Sequence, residues 1–128
     1  MLTKPDGLQK ALLCTRAALD KKALDLVVLD VAGLTSIGDY LVICAGRSDR
    51  QVQSIAQAIE DALADVGARP ISVEGVRRGQ WALLDCNDVI VHVFYQPVRE
   101  FYDLERLWEH APRVQLPEPL RSQASAGR

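Results

Sequence analysis

VIVHVFY, residues 89–95, is the stretch that most narrows what this chain can fold into. Six of its seven residues are β-branched or aromatic, the composition of a strand. Val89, Val91, Val93 and Tyr95 fall on one face, Ile90, His92 and Phe94 on the other. A strand that is apolar on both faces is covered on both, so it lies centrally in a sheet with helices packed on it. WALLDC (81–86) reads as its hairpin partner, joined through Asn87-Asp88. Asparagine tolerates the positive φ that a type I′ turn requires. Pro97, lacking an N–H, ends the ladder. VREFYDLERLW then takes up helical spacing at Val98, Phe101, Tyr102, Leu104, Leu107 and Trp108.

The rest of the chain supplies layers for such a sheet. Asp6 and Gln9 make a capping-box pattern ahead of a first helix, with Leu8, Leu12, Thr15 and Leu19 as its apolar stripe, widened by Ala11 and Ala18. LDLVVLDV (24–31) and DYLVICAG (39–46) are two strands. Their connection is too short for a helix, which predicts antiparallel neighbours. Ser48 and Gln51 open a second helix, whose apolar period runs through Val52, Ile55, Ala56, Ile59, Leu63 and Val66 before Gly67 and Pro70 stop it. ISVEG (71–75) completes a strand–helix–strand crossover with parallel strands. The reading is a single α/β domain over residues 1–111, with a mixed sheet of about five strands flanked by helices. Leu29, Val42, Ile43, Ile55, Ile59, Leu84, Ile90, Val91 and Val93 are its expected core. Residues 112–128, with Pro112, Pro117 and Pro119 and no periodicity, read as a disordered tail.

Composition excludes more than it assigns. No apolar run nears the roughly 18 residues of a membrane span, and MLTKPDG is not laid out as a signal peptide, so a cytoplasmic location and no membrane partner are expected. Cys14, Cys44 and Cys86 are scattered among apolar neighbours, as buried thiols are. A net charge of −2 points to little direct nucleic-acid contact. Within a ribonucleoprotein, the protein component is the expected contact.

Chemistry has few candidates. Gly46-Arg47-Ser48 before a helix resembles a phosphate site but lacks the glycine spacing of a P-loop or dinucleotide fingerprint. Asp30, Asp39, Asp85 and Asp88 flank strand pairs, as the carboxylates of a two-metal site do. Asp85 and Asp88, however, are three apart across a turn rather than two apart on one strand face, which favours turn-forming and solvent-facing roles. His92 reads as a hydrogen-bonded core histidine, and no serine or cysteine sits in a nucleophile elbow. No catalytic residue, metal or cofactor is expected. Trp81 is the better lead. It opens its strand directly after the loop GVRRGQ, where it either caps the core or stands as an exposed anchor at a protein interface.

LDVAGLTSIGDYLVICAG, SDRQVQSIAQAIE, PISVEG and GQWALLDCNDVIVHVFYQPVREFYDLERLW together carry a resemblance. From about Leu8 to Ala111 the chain resembles the bacterial ribosomal silencing factor family, also called Iojap-like or DUF143. It departs at Asn87, where such proteins commonly have glycine. The resemblance implies a nucleotidyltransferase-like core without its catalytic carboxylates. It also implies a homodimer when free, and binding to the large ribosomal subunit through large-subunit protein fourteen that blocks joining of the small subunit under nutrient limitation. It puts the partner contact on this part of the sheet, where Trp81 is the expected anchor and Glu74, Asp85, Arg99 and Tyr102, by their position in the matched motifs, are candidates for the surrounding polar rim. A large-subunit assembly factor and a nucleotidyltransferase-like enzyme are the alternatives.

Overall fold

The computed structural model describes residues 5–126. Its strands are β1 (Leu24–Asp30), β2 (Tyr40–Gly46), β3 (Ser72–Glu74), β4 (Trp81–Asp85) and β5 (Val89–Tyr95). They form one mixed sheet in the order β1-β2-β5-β4-β3. The helices are α1 (Gly7–Asp20), α2 (Asp49–Asp65), α3 (Gln96–Tyr102) and α4 (Leu120–Ala126), with a 3₁₀ helix at Leu104–Trp108. β5 is the central strand and is buried on both faces, as its composition requires. β1 and β2 are antiparallel neighbours. β3 does run in the direction of β2, but β5 and β4 lie between them, so the hydrogen-bonded parallel partner of β2 is β5.

Strand register sorts the side chains into two layers. Val28, Val42, Val91 and Leu84 form a row across four strands, facing α1, α2 and α4. Leu29, Leu41 and Ile90 form a row on the opposite face, beneath α3 and the 3₁₀ helix. All nine expected core residues are buried.

The helix signals hold with two changes. In α1 both halves of the Asp6–Gln9 capping box form. Its buried face, however, is Ala11, Cys14, Thr15, Ala17, Ala18 and Leu19, while Leu8 is exposed. Small side chains let α1 lie close on the sheet and on α2, so the face is set by size rather than by leucines. In α2, Ser48 Oγ accepts the Gln51 N–H as expected. The reciprocal half of that box is replaced: Gln51 Oε1 takes the Arg47 N–H, and its Nε2 donates to the Lys21 and Lys22 carbonyls at the end of α1. One amide thus satisfies backbone groups at two helix ends.

Two expectations are corrected. The β4–β5 turn has positive φ at Asn87 (73°) but not at Asp88, so it is not a type I′ turn, which needs both. Residues 112–128 read as disordered from their prolines; of these, 127 and 128 lie outside the described residues, and 112–126 fold back on β1. Asp30 N–H donates to Pro112 O, Val114 N–H donates to Val28 O, Leu29 bridges Arg113, and Leu120 of α4 is buried. These are backbone bonds along a strand edge, and they need no hydrophobic periodicity.

Candidate functional site

The second face of the sheet is only partly roofed, and Trp81 lies there. Register places Trp81 beside Phe94, Leu83 beside His92 and Asp85 beside Ile90. Glu74 pairs with Leu83 and therefore points to the same side. Trp81 is half-buried, so the two sequence readings, core cap and anchor, describe two edges of one ring system. Its inner edge is fixed: the indole Nε1–H donates to His92 Nδ1 at 3.0 Å, and the ring lies 4.7 Å from Phe94. Its outer edge meets Tyr102 at 4.9 Å and lines a cleft of about 340 Å³ with Gly75, Arg78, Gln80 and Val98.

Phe101 and Leu107, which share the helical spacing of VREFYDLERLW, are exposed, at 81% and 77%. Asp103 takes a left-handed conformation (φ 47°) and divides the helix in two. Val98, Leu104 and Trp108 pack inward, while Phe101, Tyr102 and Leu107 stay outward. An exposed apolar group beside Trp81 is the feature that sequence reasoning missed. Only the interruption at Asp103 could have signalled it.

Of the proposed rim, Tyr102 is half-exposed against Trp81 and Glu74 is exposed on β3. Asp85 accepts the Asn87 N–H and so braces the turn. Arg99 is not on a rim. It is buried, its Nε bonded to Glu105 at 2.8 Å and its Nη1 to Leu24 O at 3.3 Å, which pins α3 to the start of β1. Two of the other carboxylates weighed for chemistry, Asp88 and Asp30, have structural partners. Asp88 pairs with Lys10 at 2.6 Å, and Asp30 accepts the Ala32 N–H. Among the described residues no group of three or more His, Cys, Asp or Glu side chains is placed to hold a metal. All three cysteines are buried free thiols, and burial raises the Cys44 thiol to about 12.

His92 is the residue on which Trp81 leans. Burial pulls its imidazole down from 6.5 to about 4, and its Nδ1 must be unprotonated to accept the indole N–H. The unfolded chain therefore takes up this proton first as pH falls. The stability that neutral His92 contributes is complete above about pH 6.5 and lost between 6.5 and 4. A shift of this size corresponds to roughly 3 kcal/mol. We expect urea titrations of the wild type to show that loss across the window. His92→Gln, which accepts a hydrogen bond but does not titrate, should lack it. An equal slope in both proteins would assign the pH dependence to other groups.

The geometry describes a sheet face with an aromatic anchor held by a histidine and bordered by exposed apolar side chains. Residues 4–128 match the family model described as "Ribosomal silencing factor during starvation". The chain belongs to the ribosomal silencing factor family. A family member from Bacillus subtilis, named a ribosomal silencing factor, is 43% identical over 110 residues, covering 84% of this chain and 93% of the relative. The crystal structure of a Chromobacterium violaceum protein superposes with a TM-score of 0.80 at 33% identity, covering 89% of this chain and 92% of that one. More distant relatives are the chloroplastic protein Iojap of Arabidopsis thaliana and a mouse protein. The first is 32% identical over 92% of this chain and 49% of its own length. The second, named for mitochondrial assembly of the ribosomal large subunit, is 26% identical over 69% of this chain and 40% of its own length. The family match runs through the segment after Pro112, in keeping with its packing on β1.

Proposed function

We propose that this chain is a non-enzymatic translational repressor that binds the large ribosomal subunit through large-subunit protein fourteen and sterically prevents the small subunit from joining. The observation that carries the reading is Trp81, held by His92 and Phe94 but open toward Tyr102 and the cleft, with the outward Phe101 against Tyr102. Exposed aromatic and apolar groups around a fixed tryptophan are the makings of a protein contact. Membership of the ribosomal silencing factor family supports a ribosomal partner for such a contact. In this reading the factor acts in the cytoplasm when nutrients are scarce, and free copies pair as homodimers. Asp85 and His92 serve the turn and the tryptophan, so nucleoside triphosphate turnover is not part of the role.

Sedimentation of purified subunits tests it. With the protein present, small and large subunits should remain apart, and the protein should travel with the large one. Association at the control level, with the protein bound to the large subunit, would favour the second reading, an assembly factor. The name of the mouse relative supports that alternative.

A further inference from the structure

A net charge of −2 argues against nucleic acid only if the charges are spread evenly, and they are not. Parallel strands β2 and β5 end together at Gly46 and Tyr95. Three connections meet beside that end: the α1–β1 turn with Lys21 and Lys22, the β2–α2 junction with Arg47 and then Arg50, and the β3–β4 loop with Arg77 and Arg78. All six side chains are exposed. Specific bonds hold the three connections as one platform around the start of α2. Gln51 Nε2 donates to the Lys21 and Lys22 carbonyls at 3.2 and 3.1 Å, and Gln53 Nε2 donates to Arg77 O at 2.8 Å. Gly79 packs so closely on Asp49 that an added Cβ would stand 2.6 Å from its carbonyl oxygen.

The ion pairs formed by Lys10, Arg99, His110 and Arg121 involve none of the six. Asp20, Asp25, Asp49 and Glu74 lie in or next to the same connections, and the Asp49 carboxylate accepts the backbone N–H of Arg50. Acidic groups collect at the other end of the sheet, where Asp30, Asp39, Asp85 and Asp88 flank the β1–β2 and β4–β5 turns. Asp30, Asp39 and Asp6 act on Tyr40 there, adding to the desolvation that raises its hydroxyl. The six cations outnumber the four carboxylates at the carboxyl end of the parallel pair, so the excess positive charge lies there.

We propose that this basic end is a contact surface for the phosphate backbone of a structured RNA. Guanidinium groups match phosphate oxygens in pairs, and each phosphate neutralised releases counterions. The setting favours RNA over an acidic protein. Ser48, Gly79 and Gln80 share these connections with the cations, and none of the exposed large apolar side chains of the described residues lies in them, whereas a protein interface would need an apolar centre. Arg78 also lines the Trp81 cleft, so the RNA surface adjoins the proposed protein contact, as a partner presenting protein beside RNA would require. The inference goes beyond that protein contact and is tested without it.

The test is fluorescence anisotropy of the full chain with a short labelled RNA duplex as salt is raised. With six cations engaged, affinity should fall about a thousandfold between roughly 50 and 200 mM salt. The combined variant Arg47→Gln, Arg50→Gln, Arg77→Gln, Arg78→Gln should melt like the wild type, because it breaks no side-chain bond. It should bind at least tenfold more weakly at low salt and lose only about tenfold over the same range. Lysine at the same four positions should restore most of the affinity. No binding at low salt, undiminished binding by the glutamine variant, or tighter binding to a polyglutamate peptide than to RNA would each overturn the proposal.

Discussion

Trp81→Ala is expected to weaken the proposed binding to large-subunit protein fourteen by about thirtyfold to a thousandfold, a hot-spot loss of roughly 2–4 kcal/mol. Complete burial of a tryptophan covers about 150–250 Å², worth roughly 4–6 kcal/mol before ordering costs. Part of this ring is already covered within the free protein by Phe94 and His92, so the lower figure governs. The same substitution removes the indole N–H from His92 Nδ1, and a buried acceptor left unpaired costs about 1–3 kcal/mol in stability. Melting temperature and affinity must therefore both be measured. Tyr102→Ala separates the two effects: its ring is half-exposed and touches Trp81 from outside, so affinity should fall with little change in melting. A Trp81→Ala protein that binds at wild-type strength would place the interface elsewhere.

Gly75→Ala should be the most destabilising single-methyl change in the β3–β4 loop, at about 3–5 kcal/mol. Two effects coincide. Gly75 has φ +80°, where a side chain costs roughly 1–2 kcal/mol, and an added Cβ would stand 2.0 Å from the Trp81 carbonyl oxygen. The second effect dominates, because backbone cannot rotate away as a side chain can; the Glu74–Leu83 pairing must shift instead. Gly67→Ala is the control for the first effect alone, with φ +70° and open space around it. Urea denaturation of the two variants should differ by about 2 kcal/mol or more. Similar losses would show that the loop moves freely. Because the displaced residue is Trp81, partner affinity should fall with stability in the Gly75 variant only.

Much of this fold was legible in the sequence because the central elements obey strong patterns. β5 is apolar on both faces, α2 keeps one period from Val52 to Leu63, and Ser48 and Gly67 mark its ends. What was not legible rests on interactions that leave no period. The face of α1 is set by alanine, cysteine and threonine, which carry little hydrophobic signal. The segment after Pro112 is held by carbonyls and N–H groups that every sequence has. At the candidate site, the alternation of WALLDC placed Trp81 on the correct strand and face, and His92 was read as a hydrogen-bonded core residue. Arg99 was misplaced because arginine reads as surface. Its burial depends on a carbonyl 75 residues away, at the bulge where Asp25 turns to φ 47°.

The strap laid along β1 has a consequence in time as well as in space. β1 can pair with β2 as soon as the hairpin is made, but its outer edge waits for Arg113, 84 residues after Leu29. Closing so long a loop is entropically slow, and sheets completed by distant segments fold slowly. Throughout that interval the Asp30 N–H and the Val28 carbonyl stand unpaired, a template for any strand that arrives first. Nascent copies emerging close together on one message are therefore most exposed to mispairing at this edge, until the proline-rich segment that follows the domain's last strand seals it.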